Sequence, residues 1–236
     1  MPHKICHPGR SISELSPNEE EYLEAIFKLV KEKDGKVRVK DIARSLGVKD
    51  PSVVEMLGKL KGRGLVVHDR PGVELTPKGK DGAAQVVRRH KLAERLLTDV
   101  FNYSLPKVHD MACKLEHVLD DELTEKLDDA LGKPKSCPHG GEIPRPGKPV
   151  SEPKAVQLTE AGKGEKCLVM KIPEERGAVE RLLALNVIPG ANVKVLERMP
   201  RGALVLLCGD TKVALSRDIA SQIRVRARHR YRGGRF

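Results

Sequence analysis

The sequence predicts a mainly α-helical chain that ends in a small all-β domain. Three observations carry this. Apolar residues recur at helical spacing through the first half, a stretch rich in Pro, Gly and Lys interrupts them between Gly132 and Lys154, and short β-rich runs fill the remainder. With 236 residues, the chain is long enough for two small domains with separate cores.

Ser16-Pro17-Asn18-Glu19 reads as a helix start, with Ser16 as cap and Pro17 in the first helical position. Tyr22, Leu23, Ile26, Phe27 and Val30 carry that helix to about Lys33. The segment VKDIARSL (39–46) predicts a short helix with Ile42, Ala43 and Leu46 inward. Gly47 breaks it, and Lys49-Asp50-Pro51-Ser52 opens another whose apolar face is Val53, Val54, Leu57 and Leu60. LVVHDRPGVELTPKG then gives two short strands about a Pro-Gly turn. Helix, glycine turn, capped helix and hairpin together make a winged helix-turn-helix over residues 15–78, after a disordered start at 1–14. His3, Cys6 and His7 fall in that start.

A long helix is expected from Thr76-Pro77 to about Phe101, a second from Leu105 to about Leu119, and a third over 121–131. They form a helical domain at 79–131, followed by a linker at 132–154. The runs CLVMKI, ANVKVLERM, ALVLLC, KVAL and IRVRA surround one helix at 174–186 and suit an SH3-like barrel over 155–228. A basic tail, 229–236, ends the chain as a solvated segment.

A net charge of +11 points to a polyanionic partner, since cationic side chains release counterions from a phosphate backbone. Aromatic content of 3% with no Trp leaves few rings for stacking on single strands, so duplex binding is expected. No apolar run approaches the roughly 18–20 residues that cross a bilayer, and the first residues lack a signal peptide's apolar stretch. A cytoplasmic protein with no membrane partner is expected. Five cysteines with no C-x-x-C make neither a disulfide framework nor a zinc ribbon, and Cys167 and Cys208 read as core.

The chemistry concentrates in His109-x3-Cys113-x2-Glu116-His117. On one helix, offsets of 4, 7 and 8 place these side chains along one stripe, where Leu, Val and Ala normally sit. Imidazole, thiolate and carboxylate there make a transition-metal donor set. His90 and Glu94 repeat the i, i+4 spacing on the preceding helix, so two antiparallel helices could close two neighbouring metal sites.

At these residues the sequence resembles a known family. RRHKLAERLLTDVFNYSLPKVHDMACKLEHVLDDEL is similar to the metal-binding and dimerisation region of DtxR-like (diphtheria toxin repressor) regulators, and the resemblance runs from Leu15 to about Ala227. LTEAGKGEKCLVMKIPE and RLLALNVIPGANVKVL also resemble the FeoA-type domain of ferrous-iron transport accessory proteins. The resemblance implies a metal-dependent transcriptional repressor of metal-uptake genes. It would act as a homodimer on double-stranded operator DNA, with one or two dimers per operator.

Residue by residue, the resemblance implies a primary site of Cys113, Glu116 and His117, completed from the first helix by Glu21 and by Glu24 one turn on. An ancillary site would take His90, Glu94 and His109. Cys137 and His139 match a secondary site of some manganese-type relatives, shared with the residue at Glu94 and completed by Glu174 or Glu175. Glu21 is manganese-like and Cys113 iron-like. A thiolate penalises Mn(II), so Fe(II) is expected and Mn(II) is the alternative, while Zn(II), Co(II) and Ni(II) should bind in vitro. By linking Glu21 to the primary site, metal would fix the winged helix, so Glu21→Ala should abolish metal-stimulated binding.

In the same reading Ser52 and Glu55 enter the major groove and Pro51 shapes the helix start. Lys49, Lys59, Lys61, Arg63, Arg38, Arg44 and Arg70 face phosphates. Glu55 either accepts from a cytosine amino group or is a surface charge. A metallohydrolase would need a general base, and the chain has no H-E-x-x-H and no Ser/His/Asp arrangement. A metal-transport accessory module would not need a basic winged helix.

Overall fold

The computed structural model describes residues 15–33, 37–69, 72–147 and 155–227. The expectations placed on 1–14, on Arg70, on 148–154 and on the tail lie outside the described residues. The chain divides into two compact units. One runs to His90 and takes in Glu116–Lys126, and the other holds Lys91–Leu115, Leu127–Ile143 and the residues from 155 on.

The first unit opens with α1, Pro17–Lys33. Its start is a capping box: the Glu19 amide donates to the Ser16 hydroxyl at 3.3 Å, and the Ser16 amide donates back to Glu19 Oε2 at 2.9 Å. Helix α2, Val39–Leu46, stops at Gly47, whose φ of 67° is the left-handed conformation that suits glycine. Helix α3, Asp50–Gly62, follows at once with Pro51 in its first turn. Strands β1, Val66–Asp69, and β2, Gly72–Leu75, pair antiparallel from Val66 opposite Leu75 to Asp69 opposite Gly72. Val37 bridges to Val73 and anchors the hairpin to the helices.

Leu23, Ile26, Ile42, Val53, Leu57, Leu60, Leu65 and Val73 form the core of this unit. One expectation is corrected. Val54 is 51% exposed and Met56 is buried instead, because the inward stripe of α3 runs 53, 56–57, 60.

Helix α4, Pro77–Arg95, ends in a π-helical turn, Leu96–Val100, where one continuous helix was expected. Helix α5 covers Leu105–Leu115, not 105–119, so Glu116 and His117 leave the helical stripe and sit in the turn after it. Helix α6, Asp121–Ala130, matches expectation.

The second unit is built on a six-stranded antiparallel sheet. Its strands are β3 (Val156–Gln157), β4 (Lys166–Lys171), β5 (Asn192–Arg198), β6 (Leu204–Cys208), β7 (Thr211–Leu215) and β8 (Arg224–Ala227), in the order β3-β8-β4-β5-β6-β7. Five of these strands coincide with the β-rich runs. Strand β3 and helix α8, Arg217–Gln222, were not anticipated, and helix α7 is shorter than expected, at Arg176–Ala184. Alternate residues Cys167, Val169, Val193, Val195, Leu204, Leu206, Val213 and Val225 face one core with Val179 and Leu182 of α7, and Cys208 joins them. Helix α5 packs on α7.

The 132–147 stretch is not a plain linker. Ser136 and Glu142 bridge antiparallel, the Cys137 amide donates to the Gly141 carbonyl at 2.8 Å, and the Ile172 amide donates to the His139 carbonyl at 3.0 Å. Gly140, at φ 87°, lies so close to the Met170 carbonyl that a Cβ would come within 1.9 Å of its oxygen. Only glycine fits there.

Candidate metal centres and the DNA-facing helix

In the first unit, α1, α4 and the turn after α5 bring Glu24, His90 and Glu116 together, with one donor atom of each within 4.8 Å of the others. All three are buried. His90 Nδ1 stands 2.6 Å from Glu116 Oε2, and His117 lies beside it, its Nε2 3.6 Å from Glu116 Oε1. His117 Nδ1 meets Glu20 Oε2 at 2.8 Å. Arg89 closes the group, pairing with Glu20 and donating to the Leu119 carbonyl at 3.3 Å.

Burial pushes the Glu116 carboxyl above its ordinary value, the Glu24 charge adds to the rise, and the His90 hydrogen bond opposes it. Three buried carboxylates with two imidazoles form a donor set rich in negative charge. A divalent cation neutralises such a set, so these residues fit a metal.

One expected ligand on α1 is placed differently here. Glu21 is exposed, and its charge is felt by the Tyr22 hydroxyl, whereas Glu20 turns inward onto His117. Adjacent helical residues differ by about 100° in direction, which is enough to exchange them. In the first unit His90, expected in the ancillary site, also lies with Glu24 and Glu116. Cys113 lies in the second unit, where its Sγ is 3.7 Å from His109 Nε2.

The second unit holds its own cluster. Glu94 near the end of α4 and the Cys137 and His139 side chains lie within 4.8 Å of one another, all fully or almost fully buried. His139 Nδ1 is 2.9 Å from Glu94 Oε1, and His139 Nε2 has no hydrogen-bond partner. A buried, unsatisfied imidazole nitrogen beside a carboxylate and a sulfur is a site shaped for a cation.

His109 stands at the edge, 3.9 Å from Glu94 and 3.8 Å from Glu174. Glu175 is the cap of α7, accepting from the Gly177 and Ala178 amides at 2.8 Å each, so Glu174 is the acid that faces this cluster.

Lys91 was missed. Its buried ammonium lies 3.8 Å from Cys137 Sγ and 3.9 Å from Glu174 Oε1, and a Cβ on Gly141 would fall 2.1 Å from it. Burial pushes the Cys137 thiol up to about 12, with Lys91 pulling it down.

On the winged helix, Arg38, Arg44, Lys49, Pro51, Ser52, Glu55, Lys59 and Lys61 are exposed, as is Val54. Glu55 pairs with Lys59 at 2.9 Å. Arg63 is half-buried and grips both Glu19 oxygens at 2.9 and 3.0 Å, tying the end of α3 to the cap of α1.

Family models match nearly the whole chain. "Iron dependent repressor, N-terminal DNA binding domain" covers residues 14–72, "Iron dependent repressor, metal binding and dimerisation domain" 76–145, and "FeoA domain" 156–227. The iron-dependent repressor IdeR of Mycobacterium leprae is 31% identical over 229 residues, 91% of this chain and 99% of its own length. The diphtheria toxin repressor of Corynebacterium diphtheriae is 31% identical over 227 residues, with 91% and 99% covered. Among solved structures, a manganese-dependent transcriptional repressor in complex with manganese superposes with TM-score 0.82 at 30% identity, covering 89% of this chain and 99% of that one. The manganese regulator SloR gives 0.79 at 31%, covering 91% and 100%.

Proposed function

Because the chain belongs to the family of iron-dependent repressors, we propose that it senses intracellular Fe(II), with Mn(II) as the alternative, and controls genes of metal uptake and homeostasis. It is a metal-dependent, DNA-binding transcriptional repressor and not an enzyme. The reading adds that it works in the cytoplasm as a homodimer on double-stranded operator DNA. The observation that carries it is the buried Glu24–His90–Glu116 group with Glu20 and His117 beside it, spanning α1, α4 and the turn after α5.

Bound metal supplies positive charge that these carboxylates and imidazoles can share. Glu20, Glu24, Glu116, His90 and His117 would hold it in the first unit. Glu94, Cys137 and His139 would hold a second ion, with His109 and Glu174 at the edge. Cys113, whose sulfur lies 3.7 Å from His109 Nε2, is a further ligand on the resemblance and is the basis of the preference for Fe(II). Glu20 and Glu24 both lie on α1, the helix whose first turn is clasped by Arg63 from α3. Drawing α1 onto His90, Glu116 and His117 therefore fixes the base of the DNA-reading helix. Free metal at a hundred times its dissociation constant stabilises the state that alone binds it by about 2.7 kcal/mol.

Ser52, Glu55 and Pro51 form the part of α3 that meets bases, and Arg38, Arg44, Lys49, Lys59 and Lys61 contact phosphate, together with Arg70. The test is anaerobic titration of the metal-stripped protein with Fe(II), and separately Mn(II), in the presence of DNA from upstream of its own gene. Binding that appears with Fe(II) at lower concentration, and vanishes with chelator, supports the reading. Activation at lower Mn(II) overturns the choice of metal, and binding indifferent to metal overturns the sensor.

A further inference from the structure

We propose that the outward face of the C-terminal sheet is a second phosphate-binding surface, which adds sequence-independent contacts with duplex DNA to those of the winged helix. The proposal rests on the chain being a DNA-binding repressor and assigns a role to a part of it that the metal and helix sites leave idle.

The residues that alternate with the core on β4, β5, β7 and β8 include Lys166, Lys171, Lys194, Lys212, Arg224 and Arg226. Strand register sets them side by side. Lys166 lies directly opposite Lys194, Lys194 opposite Leu207, and Leu207 opposite Lys212, so one row crosses four strands. Lys171 lies directly opposite Arg224 on β8, and Arg226 sits opposite Leu168. Lys166, Lys212 and Arg226 are exposed, the other three partly so.

Two like-charge pairs directly opposite each other are unfavourable in a sheet, and nearby carboxylates normally relieve them. Here they do not: among the described residues, none of these six side chains has an ion pair or a side-chain hydrogen bond. The nearest acids in register are otherwise engaged or displaced. Glu165 accepts from the Gly162 amide at 2.6 Å, Glu197 lies beyond the bulge in β5, and Asp210 is in the β6–β7 turn. The uncompensated charge calls for a polyanion.

The spacing favours a nucleic-acid backbone. Four adjacent strands span about 14 Å at the usual separation, about four base-pair rises along the axis of a duplex. The half-exposed Leu168 and Leu207 between the cations give the lysine stems an apolar bed, leaving the ammonium groups outward.

The experiment uses the full chain loaded with Mn(II) and a 60-base-pair duplex of arbitrary sequence, so that no operator need be known. Binding is measured by anisotropy as a function of KCl for the wild type, for K166Q/K194Q/K212Q/R226Q, and for the winged-helix variant R44Q/K49Q/K59Q. Removing one cation from a phosphate makes the plot of log K against log salt shallower by about 0.9. In the sheet variant the slope is expected to fall by about two to four times that amount, with binding at least tenfold weaker at low salt. Unchanged slope and affinity in the sheet variant, with the winged-helix variant impaired, overturns the proposal and leaves the repressor reading standing. If both variants bind as the wild type does, the repressor reading itself falls. If the sheet variant keeps its DNA slope but changes its sedimentation, the face serves a second copy and the proposal is wrong. A thermal melt checks the fold, with K194Q/R226Q as the milder variant.

Discussion

Glu20 Oε2 and His117 Nδ1 lie 2.8 Å apart, joining the first helix of the winged domain to the turn after α5. Glu21, one position on, is exposed. Glu20→Gln is therefore expected to lower metal-stimulated DNA affinity at least tenfold, and Glu21→Gln to change it less than threefold. Equilibrium binding at fixed metal distinguishes the two, and the reverse ranking would restore Glu21 as the ligand.

Lys91 competes with any cation for the pocket of Glu94, Cys137 and His139, because its ammonium already stands 3.8 Å from the sulfur. Lys91→Met is expected to tighten metal binding at this site several-fold, read by calorimetry and by metal stoichiometry after gel filtration. Since burial holds the Cys137 thiol at about 12, metal binding here must release its proton, and affinity should rise between pH 6 and 8. Weaker binding in the Lys91 variant would make the lysine a supporting partner instead.

Arg63 is expected to serve stability more than DNA binding. Burial pushes the Glu19 carboxyl up, but the Ser16 amide and Arg63 outweigh it and hold the group below its ordinary value. A depressed carboxylate stabilises above its unfolded value and loses that contribution as pH falls through the folded one. Arg63→Ala should cost about 1 kcal/mol in urea melts at pH 7, the scale of a lost helix cap, and less at pH 3. An unchanged melt accompanied by a lower salt slope would return Arg63 to the phosphates.

Cys167 sets an alkaline limit. Burial, helped by Glu165, raises its thiol from 9.0 to about 11. Between those values the folded chain retains a proton that the unfolded chain has released. The stability it contributes is thus complete below pH 9 and drains away towards pH 11. Cys167→Ala should flatten the loss of stability between pH 8 and 11, and an equally steep loss would assign it to other groups.

Cys113 is expected to set metal choice. A thiolate favours later metals over Mn(II), and a carboxylate removes that penalty. Cys113→Glu should lower the Mn(II) concentration for half-maximal DNA binding relative to that for Fe(II). No change in the ratio would remove Cys113 from the selecting residues.

Local chemistry made much of this legible. The Ser16-Pro17 start, the glycine break at Gly47, the hairpin of β1 and β2 and five sheet strands follow from caps, turns and alternation within a few residues. What stayed hidden depends on partners far along the chain. The Cys137–Gly141 segment has the composition of a linker, yet Met170 and Ile172 pin it in place. By spacing alone, Glu116 and His117 continue the helix of His109 and Cys113. His90 and Glu20, outside that helix, hold them in the turn after it. Lys91 carried no signal, because its meaning comes from a glycine 50 positions later.

The exposure of Val54 bears on how widely such a regulator can act. With Pro51, Val54 and Gly58 on its outward side and Glu55 paired to Lys59, the reading helix offers an apolar strip beside the Ser52 hydroxyl. Such a surface recognises methyl groups and groove shape more than hydrogen-bonding edges. Single-base changes facing that strip are expected to cost less than changes facing Ser52, so related sites could drift apart there and still answer to the same protein. Its targets should form a graded series, silenced in turn as the cell fills with metal.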